Sequence, residues 1–247
     1  YKPIKKETTA KKKTHPLKTI KILCRNKYFI LITLAFAVIY TSLGLTGGSR
    51  IYYAKYVLGD EMLNSTMTMF NYIPTILTIM LIPVFTKRFG KIKALFVGFL
   101  FYAAGLVLEI AGPVNLPMIY TGLVLQGIGH AALYSCLFAI VGDVVDYSEW
   151  KDGIREEGIT YSVTSFGQKI GTGLGTAALG WILAAGHYDG TAAVQSASAI
   201  FAIKGLFLYL PLVITVIVLI IWYLFMGIDK IYPTVRKELD ERREKAE

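Results

Sequence analysis

Lys169 lies in an apolar stretch, and with Tyr161, Ser165, Thr172 and Thr176 it follows the three- and four-residue spacing of one helix face. An amine among hydrocarbon side chains is costly, so such a group faces a polar cavity or a partner and marks the path of an ion or polar solute. A second ridge repeats the pattern with Gln126, His130 and Tyr134 at four-residue intervals. Amide, hydroxyl and aromatic face together suit recognition of a hydroxyl-rich solute by hydrogen bonds and stacking. His130 would serve equally well as a helix-to-helix hydrogen bonder. Asp143 and Asp146 open a charged loop to Glu157 that also holds Lys151 and Arg155. Two acids beside two bases at a membrane edge suit an ion-pair network closing the inner side better than general acid–base catalysis.

Other polar residues carry less. Asn71, Thr75 and Thr78, with Tyr40 and Thr41, are explained by packing or interfacial anchoring. Pro74 and Pro83 predict a bend in their segment, and Glu109, near the end of its own, is expected to reach water. Cys24 and Cys136, and His15, His130 and His187, are scattered without ligand spacing or a nucleophile–base pair. A disulfide framework, a metal site and a hydrolase therefore have no support.

The segments that hold these residues are membrane spans. The chain has 247 residues, 54% hydrophobic and 17% charged, with a mean hydropathy of +0.52, too apolar for an ordinary soluble domain. A crossing helix needs about 20 mostly apolar residues, and six segments qualify: Tyr28 to Gly47, Thr66 to Phe85, Ala94 to Gly112, Pro117 to Gly142, Gly158 to Gly186 and Gly205 to Gly227. The expected fold is an all-α membrane protein of six transmembrane helices. Lys169 then lies roughly 16 Å into the fifth, near the bilayer midplane. Gly167, Gly171 and Gly175 recur on another side of that helix as a small-residue stripe for close helix approach.

Charge sets the expected orientation. Ten basic residues and one acid, Glu7, precede the first span, and Lys87, Arg88, Lys91 and Lys93 fill the second connection. Both belong on the cytoplasmic side, so an even number of spans returns the carboxyl end there too. The net charge of +9 is thereby explained by topology and contact with lipid headgroups; no aromatic-interleaved basic fold points to nucleic acid. The expected organisation is a cytoplasmic basic linker over residues 1–27, a bundle over 28–227 and a cytoplasmic tail over 228–247. The tail, with six bases and six acids from Asp229 to Glu247, suits an exposed helix or a disordered end. A first residue of Tyr1 and a lysine-rich opening of the kind that links two bundles suggest a carboxyl-terminal fragment.

These motifs resemble one family. Gly142-Asp143-Val144-Val145-Asp146-Tyr147-Ser148-Glu149-Trp150, Arg155-Glu156-Glu157-Gly158, and Tyr161-Ser162 followed by Lys169 resemble the carboxyl-terminal six helices of the glycoside-pentoside-hexuronide:cation symporters. That family is a branch of the major facilitator superfamily. Tyr52 to Gly59 resembles the loop after the family's seventh helix, and Arg88-x-Gly90 the core of the superfamily's cytoplasmic loop motif, with Lys87 where an aspartate is usual. The resemblance implies one half of a transporter cotransporting a sugar or glycoside with Na⁺ or H⁺ across the cytoplasmic (inner) membrane by alternating access.

It further implies that Lys169 borders the sugar and cation sites. A cavity aromatic of the family falls on Tyr134, where tryptophan is usual, and a polar sugar contact on Thr164, where glutamine is usual. With the ridges and the charged loop above, the expected set is Lys169, Tyr134, Thr164, Gln126 and His130 toward substrate, Lys169 for cation coupling, and Asp143, Asp146, Lys151 and Arg155 at the inner gate. No cofactor beyond the coupling cation is implied. The cation-binding carboxylates belong to the family's amino-terminal six helices, which become the expected partner beside sugar and membrane lipid. A lipid-related facilitator would want an apolar lateral opening, and a membrane-embedded enzyme a convergent nucleophile or metal cluster; neither pattern is present.

Overall fold

A computed structural model describes residues 22–23, 25–153, 155–192 and 194–245. All regular structure among them is helical. Helix α1 (Lys27–Tyr56) starts where the Asn26 side chain accepts the Tyr28 N–H at 3.0 Å. It is followed by α2 (Leu63–Ile79), α3 (Ile82–Phe89), α4 (Lys91–Ala111), α5 (Leu116–Asp152) and α6 (Glu157–Ala185). Next come α7 (Ala197–Lys204), a π-helical turn (Gly205–Tyr209), α8 (Leu210–Phe225) and α9 (Gly227–Glu244). Residues 1–21 of the amino-terminal linker, with His15, and Cys24 lie outside the described residues.

Helices α1, α4, α5 and the run from α7 to α9 are each long and apolar enough to cross a membrane, and the pair α2–α3 would make a fifth crossing. That pair is bent by 56° at Met80 and Leu81, just before Pro83, which opens α3; Pro74 lies within α2. Pro83 therefore marks the bend, as its missing N–H and ring forbid an uninterrupted helix there. Helix α6 has 29 residues, about 43 Å, enough to cross. Its glycines, hydroxyl residues and Lys169 leave it short of the apolarity of the others.

Three expectations need correction. The charged run after Gly142 is not a loop up to its far end: α5 continues to Asp152 and stops at Gly153 in the left-handed conformation. Nothing before Gly153 breaks a helix, and Val144, Val145 and Tyr147 bury one face of it. The carboxyl-terminal segment is a packed helix, α9, whose Val235 and Leu239 join the inner core. Glu109 does not reach water; it is fully buried.

Two helix pairs organise the bundle. Helix α6 lies against α1 with Gly167, Gly171 and Gly175 buried; a Cβ at Gly175 would enter the Thr41 carbonyl, and Gly44 of α1 abuts Thr172. The anticipated stripe is this interface. Helix α4 meets α5 in the same way through Gly98, Gly105, Gly122 and Gly129. Helix α2 is held on α5 by side chains that cap backbone carbonyls: Asn71 Nδ2 donates to Leu123 O at 3.2 Å and Thr75 Oγ1 to Gly127 O at 2.9 Å. Helix α8 fills the space between α1 and α4, with Trp222 and Phe225 fully buried. One apolar cluster centres on these and Tyr28, Phe36 and Ile140, a second on Tyr53, Met67 and Phe207.

Candidate functional site

Helix α6 turns its glycines to α1 and so presents its other face outward. Tyr161, Ser162, Ser165, Phe166 and Lys169 line an open hollow of about 430 Å³ there. Lys169 is exposed, and among the described residues it makes no hydrogen bond or ion pair. The ridge extends to Thr172 and Thr176, also exposed, whose hydroxyls donate to Gln168 O and Thr172 O of their own helix.

Of the other expected substrate residues, Tyr134 is 46% exposed. Its neighbour Phe138, one turn on, is also exposed, and the Tyr161 hydroxyl donates to the Phe138 carbonyl at 3.4 Å. The aromatic face of α5 and the hydroxyl face of α6 thus adjoin. Tyr40 of α1 and Tyr72 of α2 lie electrostatically close to Tyr134; Tyr72 stands out in no spacing pattern, and only the fold brings it near.

Thr164 does not face this side. It is fully buried, and its hydroxyl donates to Thr160 O at 3.1 Å and Tyr161 O at 3.0 Å. Gln126 is also turned inward, its Nε2 donating to Glu109 Oε1 at 2.7 Å. His130 sits between the Tyr102 and Tyr134 rings, 4.9 and 5.8 Å away between centroids. Asn71 and Thr75 are committed to α5, and Thr41 to Ala37 O of its own helix.

The end of the bundle that holds the start of α4 and the end of α5 is denser in charge. Lys91, at the start of α4, donates to both Asp143 carboxylate oxygens, at 2.7 and 2.8 Å. Burial raises the Asp143 carboxyl above its usual range, and Lys91 opposes that rise. Arg155 gathers Asp146 at 2.9 Å and Glu149 and Glu157 each at 2.5 Å. Burial alone would lower its guanidinium, but the carboxylates win and raise it. The Tyr232 hydroxyl of α9 donates to Asp146 Oδ2 at 2.9 Å. An open hollow of about 260 Å³ is lined by Asp143, Asp146, Arg155, Glu157, Tyr161 and Tyr232.

The expected four-residue network is therefore two networks, and Lys151 belongs to neither. Lys151 is exposed, its amine 5.8 Å from the Tyr147 ring centre, because it lies on a different face of α5 from Asp146 and Glu149. Lys91 and Tyr232, from elements remote in sequence, take part instead.

Asp229 of α9 lies at the same end. Its Oδ2 accepts the Ile92 and Lys93 N–H groups at 3.1 and 3.3 Å, capping α4 from another helix. Gly90 makes room: its φ is +93°, and a Cβ there would lie 2.7 Å from Asp229 Oδ2. Burial raises the Asp229 carboxyl, with the two N–H groups acting against it.

Among the described residues no group of three or more His, Cys, Asp or Glu is placed to hold a metal ion. What the arrangement offers is an exposed cation about halfway along α6, beside hydroxyls and aromatic faces, with a cluster of charged groups toward the start of that helix.

The family described as MFS/sugar transport protein matches residues 1–230. The isoprimeverose transporter of Lactiplantibacillus pentosus is 31% identical over 242 residues, covering 96% of this chain and 49% of the relative. The glucuronide carrier protein homolog of Escherichia coli (strain K12) is 26% identical over 227 residues, covering 91% and 50%. An uncharacterized symporter of Bacillus subtilis (strain 168) is 25% identical over 231 residues, covering 90% and 49%. The chain spans about half the length of the curated relatives it matches.

Proposed function

The chain belongs to the MFS/sugar transport family, as a multi-pass helical membrane protein, and on that premise we propose that it forms one half of a sugar:cation symporter. The substrate site lies between this bundle and an amino-terminal six-helix half, and access alternates as the two halves rock. The single observation carrying this reading is Lys169: an open cation near mid-span, on a helix face too polar for lipid, with no carboxylate partner among the described residues. A face of that kind requires an aqueous cavity or an opposing surface. The names of the relatives, a transporter of isoprimeverose, a glucuronide carrier homolog and a symporter, support sugar as cargo and symport as mode.

In this reading Lys169 donates hydrogen bonds to sugar hydroxyls and supplies positive charge to carboxylates of the opposing half, which hold Na⁺ or H⁺. Tyr134 offers a ring face, and Tyr161, Ser162 and Ser165 add hydroxyls. Thr164 and Gln126 act by positioning α6 and α5, since their polar atoms are spent inside the bundle. His130 orients Tyr134 from beneath. The Lys91–Asp143 and Asp146–Arg155 groups hold the inner side together. Exposed Trp181, Phe201, Tyr223 and Leu224 face lipid. Both chain ends and Lys151 lie in the cytoplasm of a cell whose inner membrane holds the carrier.

Sugar uptake into vesicles tests this, comparing the chain alone with the chain co-expressed with an amino-terminal six-helix unit. Cation-dependent uptake is expected only from the pair. Uptake from neither, with both inserted and folded, would contradict the reading.

A further inference from the structure

Glu109 is fully buried near the outer end of α4, where the contact of Gly105 with Gly122 draws α5 against it. One carboxyl oxygen, Oε1, accepts the Gln126 amide at 2.7 Å. The other, Oε2, is buried with no hydrogen-bond partner. In the same outer region Arg50 of α1 donates from Nη1 to Thr68 Oγ1 at 3.1 Å, while its buried Nε has no acceptor. Arg50 and Glu109 act on each other electrostatically, yet no ion pair within 4 Å joins them among the described residues. A donor and an acceptor of matching chemistry are thus both left unfilled.

The groups facing Glu109 are Arg50 and Tyr53 from α1, Tyr102 from its own helix and Gln126 from α5; His130, Tyr72 and Tyr134 stand around Arg50. Tyr53 gives its hydroxyl hydrogen to Pro113 O at 2.5 Å, so it does not serve Oε2. A carboxylate left with one donor in a water-excluded site is far more costly than the neutral acid in the same place. The neutral form needs no charge partner, and Gln126 serves it equally well. Ionisation becomes tolerable only when Oε2 gains water or Arg50.

We propose that Glu109 is a proton-binding site of this bundle. It holds a proton in the present conformation and releases it to water when the outer half rearranges so that Arg50 or solvent reaches Oε2. The glycine contact fixes Glu109 against α5, whereas Arg50 is a long side chain tied by one hydrogen bond, so Arg50 is the part that moves. Proton occupancy and outer-half conformation are then linked, each biasing the other. This rests only on the chain being a membrane bundle, and its failure would leave the substrate reading intact.

Infrared spectroscopy of the 247-residue chain in lipid nanodiscs tests it. At neutral pH a carboxylic-acid C=O band that shifts in D₂O is expected. Glu109→Gln should remove the band, Glu109→Asp should move it without abolishing it, and Arg50→Gln should retain it to higher pH. Should Glu109→Gln fail to fold, the Glu109→Asp shift assigns the band by itself. Absence of the band in the wild type, a band indifferent to both Glu109 variants, or one that appears only after Arg50 is replaced would overturn the proposal. In the last case Glu109 is an ionised partner of Arg50.

Discussion

Lys91 and Asp143, at the start of α4 and late in α5, meet at 2.7 Å and tie one end of α4 to α5. The pair is asymmetric: the side chain of Asp143 is 8% exposed and that of Lys91 34%. Removing Lys91 therefore strands a buried carboxyl, while removing Asp143 leaves an amine that can turn to water.

Lys91→Ala should accordingly destabilise the bundle more than Asp143→Asn, which keeps shape and removes the charge. The pH dependence has a definite sign. Burial already raises the Asp143 carboxyl in the folded state, and losing Lys91 raises it further, so the folded Lys91→Ala chain binds more protons than the unfolded one. Its stability should be greatest at acidic pH and fall as pH rises toward neutral, more steeply than in the wild type. Thermal unfolding in detergent across that range checks this; the slope should flatten when Asp143→Asn is added.

Helix α6 makes graded predictions along its glycines. A Cβ at Gly173 meets nothing within 4 Å, whereas at Gly171 it meets Thr41 N and Tyr40 Cβ at 3.1 Å. Gly173→Ala should be neutral or stabilising by up to about 1 kcal/mol from helix propensity. Gly171→Val should separate α6 from α1 and cost on the order of 2 kcal/mol or more. Unfolding midpoints of the two variants, measured side by side, decide it.

Helix α9 should behave as part of the folded bundle. Trp150 Nε1 donates to Glu238 Oε2 at 2.7 Å, Arg243 pairs with Glu149 at 3.1 Å, and Leu239 is 4% exposed. The exposed ion pair contributes little, so the buried leucine dominates. Leu239→Ala should cost about 2–3 kcal/mol and make the segment after Gly227 sensitive to protease, while Arg243→Gln should leave it resistant.

The crossings were readable because long apolar runs have few alternatives, and the α6–α1 interface because glycines at every fourth position align on one helix face. Where α5 ends was not readable: Asp143 to Asp152 looks like a loop by charge, and only the burial of Val144 and Tyr147 and the left-handed Gly153 make it helix. Lys91 as the partner of Asp143 was hidden for a different reason, since pairing across separate helices depends on how α4 and α5 are staggered. Gln126 shares helical spacing with exposed Tyr134 but bonds inward to Glu109, and Thr164, expected only from the resemblance, lies off the exposed ridge by one position from Ser165 and is buried. Glu109 sits near a span's end, where carboxylates usually reach water, but close glycine packing sealed it.

Lys169 is the cation proposed to link sugar and coupling-ion occupancy in this bundle. The most direct measurement is sugar affinity with and without the coupling cation, in a carrier containing this bundle, for the wild type and Lys169→Ala. Membrane insertion should be unaffected, since removing an intramembrane charge eases it. In the wild type the cation should tighten sugar binding by a factor of about 5 or more, and the sugar should tighten cation binding by the same factor. In Lys169→Ala both factors should fall to about one, because linkage between two ligands is reciprocal. A Lys169→Ala carrier that binds sugar with undiminished cation stimulation would reduce Lys169 to a structural residue.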